Sequence, residues 1–340
     1  MKRNTFPWLF ALPVLLAVML FCVCAGSAYV PPETTLRALW SALTGAEGPG
    51  GAAQSIIAGV RLPRVLAAAL VGASLSLCGA CMQGLLRNPL ADGSTLGVSS
   101  GASLGAALAI LTGFRLPGAE LAGTAVMAML FAFLSMAAIL SLAFALDRSL
   151  STHTIILLGV VFAMFVSALL SLLITFSGEK LRTITFWTMG SLASVGYPGV
   201  RLLTLALAAC SAVLFPCARA LDAFALGEES ALHLGVNVRA VKLAVMIAVS
   251  ALIGVCVSVG GCIGFVGLVT PHMARLVTGP GHRRLLPASL LGGACFLMLT
   301  DLASRALVPR VTLPVGAVTS ILGAALFVAL FARSGRRQDG

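Results

Sequence analysis

Long apolar runs recur along almost the whole of this 340-residue chain. A run of about 18 or more apolar residues can cross a bilayer as a helix. Inside the bilayer there is no water, so the backbone N–H and C=O groups must form hydrogen bonds with one another, as they do in a helix. Hydrophobic residues make up 59% of the sequence, whereas charged residues make up only 10%. These features predict an all-α polytopic membrane protein in which residues 1–340 form a single transmembrane domain.

The apolar runs and the polar residues between them predict about ten transmembrane helices, with both termini in the cytoplasm. Spans two to five and spans seven to ten form two four-helix blocks of inverted topology, as is common in transporters. The third and eighth spans are short and glycine-rich, and a cleaved signal sequence is the alternative for the first. The predicted spans are 8–30, 62–82, 94–112, 119–146, 154–176, 197–217, 240–259, 262–276, 286–303 and 314–332.

The sequence lacks the motifs that such a chain would need to hydrolyse ATP or to carry out ion-coupled transport by itself. It has no Gly-x-x-x-x-Gly-Lys-Ser/Thr loop to cradle nucleotide phosphates, so it is not expected to be an ATP-hydrolysing enzyme. Asp301 is the one acidic residue clearly inside an apolar run, whereas ion-coupled carriers usually keep ionisable groups there. The net charge of +11 is attributed to arginines that flank the membrane, not to binding of nucleic acid. Any energy that the protein uses must therefore come from elsewhere.

A polar segment at residues 220–242 interrupts the apolar pattern. It carries Asp222, Glu228, Glu229 and further charged residues, although long apolar runs flank it on both sides. Glycines readily take the left-handed conformation at helix ends, so Gly227 and Gly235 predict two short helices in this loop between spans six and seven. We expect a cytoplasmic partner to bind here.

Four motifs then occur in order and at consistent spacing. They are Arg61-Leu62-Pro63-Arg64 with Gln83 to Asp92, Leu96 to Ala102, Gly264 to Arg275, and Asp301 to Arg305 with Leu313 to Gly316. Together these segments resemble the FecCD and vitamin B12-type permease family, the membrane subunits of type II ABC importers for iron-siderophores, haem and cobalamin. The resemblance runs from about residue 55 to residue 332.

The resemblance implies a permease of the type II importer fold in a bacterial cytoplasmic membrane, translocating an iron-siderophore, haem or cobalamin by alternating access. The implied partners are cytoplasmic ABC ATPase subunits, a periplasmic or lipid-anchored binding protein, and a second permease copy or paralogue. ATP and Mg would be bound by the ATPase, and no cofactor is expected in this chain. The alternatives are a self-contained secondary transporter or channel, and an intramembrane enzyme that uses His272 and Asp301.

Site residues follow from the same motifs. The residues that the resemblance implies for ATPase coupling, at about 220–238, are Asp222, Leu226, Gly227, Glu228, Glu229, Ala231, Leu234, Gly235 and Val236. Those implied for binding-protein docking are Arg61, Arg64 and Arg305, with membrane snorkelling as the alternative. The pathway or gate residues are Asn88, Pro89, Gly97, Gly101, Pro271 and His272. For the glycines the alternative is close helix packing, and for His272 it is a hydrogen-bonded histidine at a helix kink. No catalytic or metal-binding residue is predicted.

Overall fold

The computed structural model describes residues 8–26, 30–44, 50–93, 97–116, 122–147, 151–308 and 311–335, and the regular structure in these ranges is helical. The α-helices are α1 (Trp8–Cys24), α2 (Pro32–Thr44), α3 (Gly51–Gln54), α4 (Leu62–Leu85), α5 (Val98–Thr112), α6 (Ala122–Leu146), α7 (Thr152–Thr175), α8 (Leu181–Thr188), α9 (Tyr197–Leu214), α10 (Ala218–Phe224), α11 (Glu228–His233), α12 (Val238–Gly260), α13 (Val266–Thr278), α14 (His282–Ala306) and α15 (Val315–Gly335). A π-helical segment, Ser55–Arg61, joins α3 to α4.

Ten of these helices coincide with the ten predicted spans, so the ten-span prediction is confirmed for the described ranges. They are α1, α4, α5, α6, α7, α9, α12, α13, α14 and α15. Six helices in these ranges are long and apolar enough to cross a membrane, and three of the others are shorter but apolar. The tenth, α13, has 13 residues and contains Pro271.

Helix α4 lies at the centre of the bundle. In its most apolar window 83% is buried, against 17% for both α7 and α9. Gly72 packs against Gly293 of α14, and Gly79 against Gly267 of α13, so closely that a Cβ at either position would overlap main-chain atoms. Small residues allow this approach, and close packing is a main source of helix association in membranes.

The bundle has two ends, which we call the near end and the far end. The near end holds α10 and α11, together with the starts of α7, α12 and α14. The far end holds the end of α1 and the start of α4, next to the end of α14. Because α1 ends at the far end and α15 begins there, beside Ser304, the described chain starts and stops at the near end.

The two short spans, α5 and α13, begin part-way through the bundle. Helix α5 follows Gly97, which packs beside Gly159 two turns inside α7, and α13 begins beside Gly79 and Gln83 of α4. Each helix follows a residue in the left-handed conformation, Gly97 with φ 69° and Phe265 with φ 66°. They occupy the same second position in their blocks, a correspondence that residue identity does not reveal.

Candidate coupling and docking sites

The polar segment folds into the two predicted short helices, α10 and α11. Gly227 precedes α11 with φ 109°, and Gly235 follows it with φ 81°. Both angles fall where side chains are disfavoured, so glycine is needed to turn the chain sharply at each place. The prediction that these glycines end short helices is confirmed, with bounds Ala218–Phe224 and Glu228–His233 for α10 and α11.

The predicted coupling residues divide into an exposed group and an internal group. Leu226 is 68% exposed and Leu234 64% exposed, and Glu229 and Gly235 are also exposed. By contrast Ala231 is completely buried. Its methyl group belongs to the hydrophobic core of the bundle in this conformation, so its predicted role in a partner contact stays a prediction that no exposed surface of Ala231 supports.

Leu232, which is not among the predicted coupling residues, is a third exposed leucine, at 58%. Gly227 and Val236 are partly buried. The exposed surface of α11 and its flanks therefore combines leucine side chains with the Glu229 carboxylate. We call these four side chains (Leu226, Glu229, Leu232 and Leu234) the near-end patch.

Glu228 is held from two sides inside the chain. Lys242 of α12 lies 2.7 Å from its Oε2 atom, and Thr152, the first residue of α7, donates a 3.0 Å hydrogen bond to Oε1. The Lys242 side chain is only 1% exposed and the Glu228 side chain 29% exposed, so water is excluded from the lysine but reaches part of the glutamate. We call this group, Thr152 with Glu228 and Lys242, the α11 link.

Asp222 has internal partners as well. Its Oδ1 atom accepts a 2.8 Å hydrogen bond from the backbone N–H of His282 and lies 2.6 Å from Nδ1 of the same residue. Helix α14 has no side-chain cap of its own, so Asp222 of α10 satisfies one of its free N–H groups. His282 in turn packs against Gly84 of α4. We call the Asp222–His282 contact the α10 link.

The three arginines predicted for docking converge at the far end, where all are at most 8% exposed. The Nε of Arg64 bonds both carboxylate oxygens of Asp301, at 2.9 and 3.1 Å, and Nε of Arg305 lies 3.3 Å from the same carboxylate. Arg61 and Arg305 also donate to carbonyls at the end of α1, at Val23 and Cys24 and at Cys22 and Ala25. The positive groups thereby satisfy carbonyls that a helix end leaves unpaired.

In this conformation a carboxylate of a second protein cannot reach the three guanidinium groups without displacing these contacts. Membrane snorkelling does not describe them either, because their heads point into the chain. Docking at Arg61, Arg64 and Arg305 stays a prediction.

The predicted gate residues lie at two depths. Asn88 and Pro89 form a turn at the near end, where Asn88 Oδ1 accepts the N–H of Leu90 at 2.9 Å. Gly97 and Gly101 are buried. A Cβ on Gly101 would meet Ser135 and the Phe131 carbonyl of α6, so close packing accounts for this glycine. A role for these residues in a pathway stays a prediction.

Pro271 interrupts the hydrogen bonding of α13, because proline has no N–H to give to the carbonyl of Gly267. Gln83 of α4 compensates: its Nε2 lies 3.3 Å from the carbonyls of Gly267 and Leu268. Arg275 donates to Oε1 of Gln83 at 3.2 Å, which fixes the orientation of the amide. Gln83 is thus a structural residue whose role the sequence did not reveal.

His272 differs from the hydrogen-bonded kink residue that was the alternative for it. Its Nδ1 atom is buried and has no hydrogen-bond partner among the residues that the structure describes, and its ring lies 6.3 Å from that of Phe327. Asp301 is at the far end, held by arginines, whereas α13 runs towards the near end. The structure therefore does not bring His272 and Asp301 together as an enzyme would require.

A small cavity of about 130 Å³ lies between α5 and α7. It is lined by Ser99, Ser100, Ser103, Ser167 and Cys262 together with Val166 and Leu170. Ser103 and Cys262 are 3.0 Å apart, which joins α5 to the segment that precedes α13. Within the described ranges no group of three or more His, Cys, Asp or Glu side chains could hold a metal ion.

Comparison with known proteins gives a consistent set of relatives. The sequence model of the FecCD transport family matches residues 14–333. An uncharacterised ABC transporter permease, YvrB of Bacillus subtilis, is 41% identical over 92% of this chain and 90% of its own length. The hemin transport system permease HmuU of Yersinia pestis is 38% identical over 96% of each chain.

The vitamin B12 import permease BtuC of Klebsiella pneumoniae is also 38% identical, over 98% of this chain and 96% of its own length. Among solved structures, one described as an inward-facing metal-chelate type ABC transporter superposes with a TM-score of 0.84 at 31% identity. That match covers 96% of this chain and 98% of the other.

Proposed function

The chain belongs to the FecCD transport family and is a permease subunit of an ABC importer, and we propose that its cargo is a metal chelate, first of all an iron-siderophore. Haem and cobalamin belong to the same proposal, because relatives with more than a third of their residues identical are named for haemin and vitamin B12. The membrane is the bacterial cytoplasmic membrane, with the near end in the cytoplasm. ATP is hydrolysed by a separate subunit, not by this chain.

The near-end patch is the surface on which that ATPase docks in this proposal. Of its exposed leucines, Leu232 lies on α11, and Leu226 and Leu234 lie in the turns that flank this helix, beside Gly227 and Gly235. Exposed apolar side chains grouped with charge are typical of a surface that a partner protein covers. This patch is the observation that carries the proposal.

A charge reversal at Glu229 tests the docking surface. Its carboxylate is exposed, so Glu229→Lys should slow association with the ATPase in a salt-dependent way and leave membrane insertion intact. Binding of the purified ATPase to the permease in nanodiscs, measured at low and high salt, gives the rate constants. Glu33→Lys, at an exposed acidic residue of α2 near the far end, is the control. Equal association rates for both variants and the wild type would remove the patch from the interface.

A second permease copy or paralogue completes the importer in our proposal, and a periplasmic or lipid-anchored binding protein delivers the cargo at the far end. The exposed apolar face of α7, with Leu157 at 64% and Met164 at 68%, supports a partner helix there. The serine-lined cavity lies beside this helix, so the pathway would run between the two copies.

Cargo identity is tested with proteoliposomes that contain the permease, its ATPase and its binding protein. Radiolabelled ferrichrome, haemin and cyanocobalamin are offered separately with and without ATP inside. ATP-dependent accumulation of one chelate identifies the cargo class. Accumulation of none, under conditions where the binding protein stimulates ATP hydrolysis, would contradict a metal-chelate cargo.

A further inference from the structure

The two predicted coupling helices are each tied to membrane-spanning helices by one carboxylate. Glu228 and Asp222 were predicted to contact the ATPase, but both oxygens of Glu228 and the Oδ1 atom of Asp222 are bonded by residues of this chain. These oxygens are less free to bond a partner. The internal contacts therefore need a different explanation from docking.

The α11 link reaches both four-helix blocks. Thr152 begins α7, the last span of the first block, and Lys242 is in α12, the first span of the second block. Glu228 holds Thr152 with Oε1 and Lys242 with Oε2, so its carboxylate cannot rotate without breaking a bond. A displacement of α11 must therefore shift or break contacts with residues of both four-helix blocks.

The connection to α7 is the more informative half of this link. Helix α11 is joined to α12 through the chain itself by residues 234–237, and Asn237 caps α12 by accepting the N–H of Ala240. No such short connection joins α11 to α7, whose contact through Thr152 lies 76 residues away in sequence. The ion pair with Lys242 fixes the orientation of the Glu228 carboxylate. Thr152 of α7 bonds to the carboxylate held in that orientation.

The α10 link provides a parallel connection to the second block. Asp222 caps the start of α14 at 2.8 Å, and His282 of that cap is packed against Gly84 near the end of α4. Helix α4 is the buried centre of the bundle. Together the two links join α10 and α11 to α4, α7, α12 and α14.

We propose that Glu228 and Asp222 are positioning residues that transmit movement of α10 and α11 to the membrane-spanning helices, through Thr152 and Lys242 and through His282. This inference rests on the proposed function, since the movement is the one imposed by the ATPase. Glu229, adjacent in sequence but exposed and absent from these links, belongs instead to the docking surface. The two neighbouring glutamates therefore have different roles.

Thr152→Val is the sharpest variant, because it removes the α7 contact and leaves the Glu228–Lys242 pair in place. Thr175→Val is the matched control on the same helix, because within the described ranges the Thr175 hydroxyl bonds inside its own helix, to the carbonyl of Ser171. The complete complex in proteoliposomes is assayed for chelate taken up per ATP hydrolysed, with the three radiolabelled chelates named above. Thr152→Val should lower this ratio by about tenfold, the effect of losing one hydrogen bond to a charged group.

Glu228→Gln should also lower the ratio, whereas Glu229→Gln should change hydrolysis and uptake in parallel and leave the ratio constant. Exchanging the charges, Glu228→Lys with Lys242→Glu, should restore part of the ratio lost by Glu228→Lys alone. A wild-type ratio in both Thr152→Val and Glu228→Gln would overturn the proposal. So would equal losses of the ratio in Glu228→Gln and Glu229→Gln.

A second readout needs no cargo. Hydrogen exchange of the complex is compared with and without ATP and vanadate, in peptides covering α11 and the first turns of α7. In Thr152→Val the nucleotide should still change exchange in α11 but no longer in α7, and an unaltered response of α7 would overturn the proposal. A wild-type complex that transports none of the chelates would count against the proposed cargo, while this exchange pattern still decides the positioning role.

Discussion

Asp301 balances the charges of the far end. It is fully buried, accepts hydrogen bonds from the guanidinium group of Arg64 and forms an ion pair with that of Arg305. Arginine can bond a carboxylate with two donors at once, and here that geometry joins α4 to α14 inside the chain. One acidic residue in a hydrophobic span therefore has a structural explanation, which weakens any role for it as a proton relay.

Replacing Asp301 by Asn should destabilise the protein strongly. The change leaves two buried guanidinium groups without their counter-ion, and removing one partner of a buried pair costs about 3–5 kcal/mol. Thermal unfolding in detergent, followed by fluorescence-detected size exclusion, measures the effect. Glu33→Gln, which breaks an exposed ion pair with Arg37, should have almost none. Equal midpoints for the two variants would contradict the assigned role of Asp301.

The Arg61→Gln variant distinguishes a structural role of Arg61 inside the chain from a role in docking of the binding protein. Because Arg61 donates to Val23 and Cys24 at the end of α1, we expect lower thermal stability and an unchanged association rate of the binding protein with the folded fraction. Association is measured at low and high salt. Arg37→Gln, at an exposed side chain of α2, is the comparison. A salt-sensitive loss of association in Arg61→Gln alone would support the docking contact predicted from the sequence.

At the scale of elements, contacts between glycines set how closely the helices cross. Helices α4 and α14 meet at Gly72 and Gly293, where each glycine lies against the backbone of the other helix. Helices α4 and α13 meet in the same way at Gly79 and Gly267. These crossings bring polar side chains within reach of one another, among them Ser76 and Thr270 at 2.6 Å. Packing and internal hydrogen bonding are thus coupled at the same interface.

Gly293→Ala should be destabilising and Gly292→Ala should not. A Cβ at Gly293 would overlap the carbonyl of Gly72, whereas nothing lies within 4 Å of one at Gly292. Overpacking of this kind costs about 1–3 kcal/mol. The two variants add the same methyl group to adjacent residues of α14, so thermal midpoints in detergent compare them directly. Similar midpoints would show that α4 and α14 do not pack as described.

The sequence pattern predicted some of the helices α1 to α15 and missed others, for physical reasons. Long apolar runs are a local signal, so the ten spans were found, and the turns at Gly227 and Gly235 followed from glycine chemistry. The amphipathic helix α2 and the π-helical segment Ser55–Arg61 were missed, since neither forms a long apolar run.

The motifs also could not reveal hydrogen bonds between residues that are distant in sequence. The bond from Thr152 to Glu228 spans 76 residues, and the bond from Arg64 to Asp301 spans 237. Motifs identified Glu228, Arg64 and Arg305 as important but gave them external partners. The fold shows internal partners for all three residues, and for Glu228 these partners are the basis of the positioning role that we propose.

At the scale of the whole molecule, the chain is a helical bundle with the near-end patch at one end and a buried cluster of paired charges at the other. Its buried centre, α4, is reached from the near end through His282 and from the far end through Arg64. A movement imposed at the near-end patch would therefore act on helices that these side-chain contacts already connect. Such an arrangement suits a permease that is driven by another subunit.

The central claim is that transport by this chain is powered by a separate ATPase acting at the near end. It is tested most directly by chelate uptake into proteoliposomes that contain the permease and binding protein, with active ATPase, with ATPase inactivated at its Walker A lysine, or with none. We predict accumulation only with active ATPase and internal ATP. Equal accumulation without the ATPase would contradict the account and identify a self-contained carrier or channel.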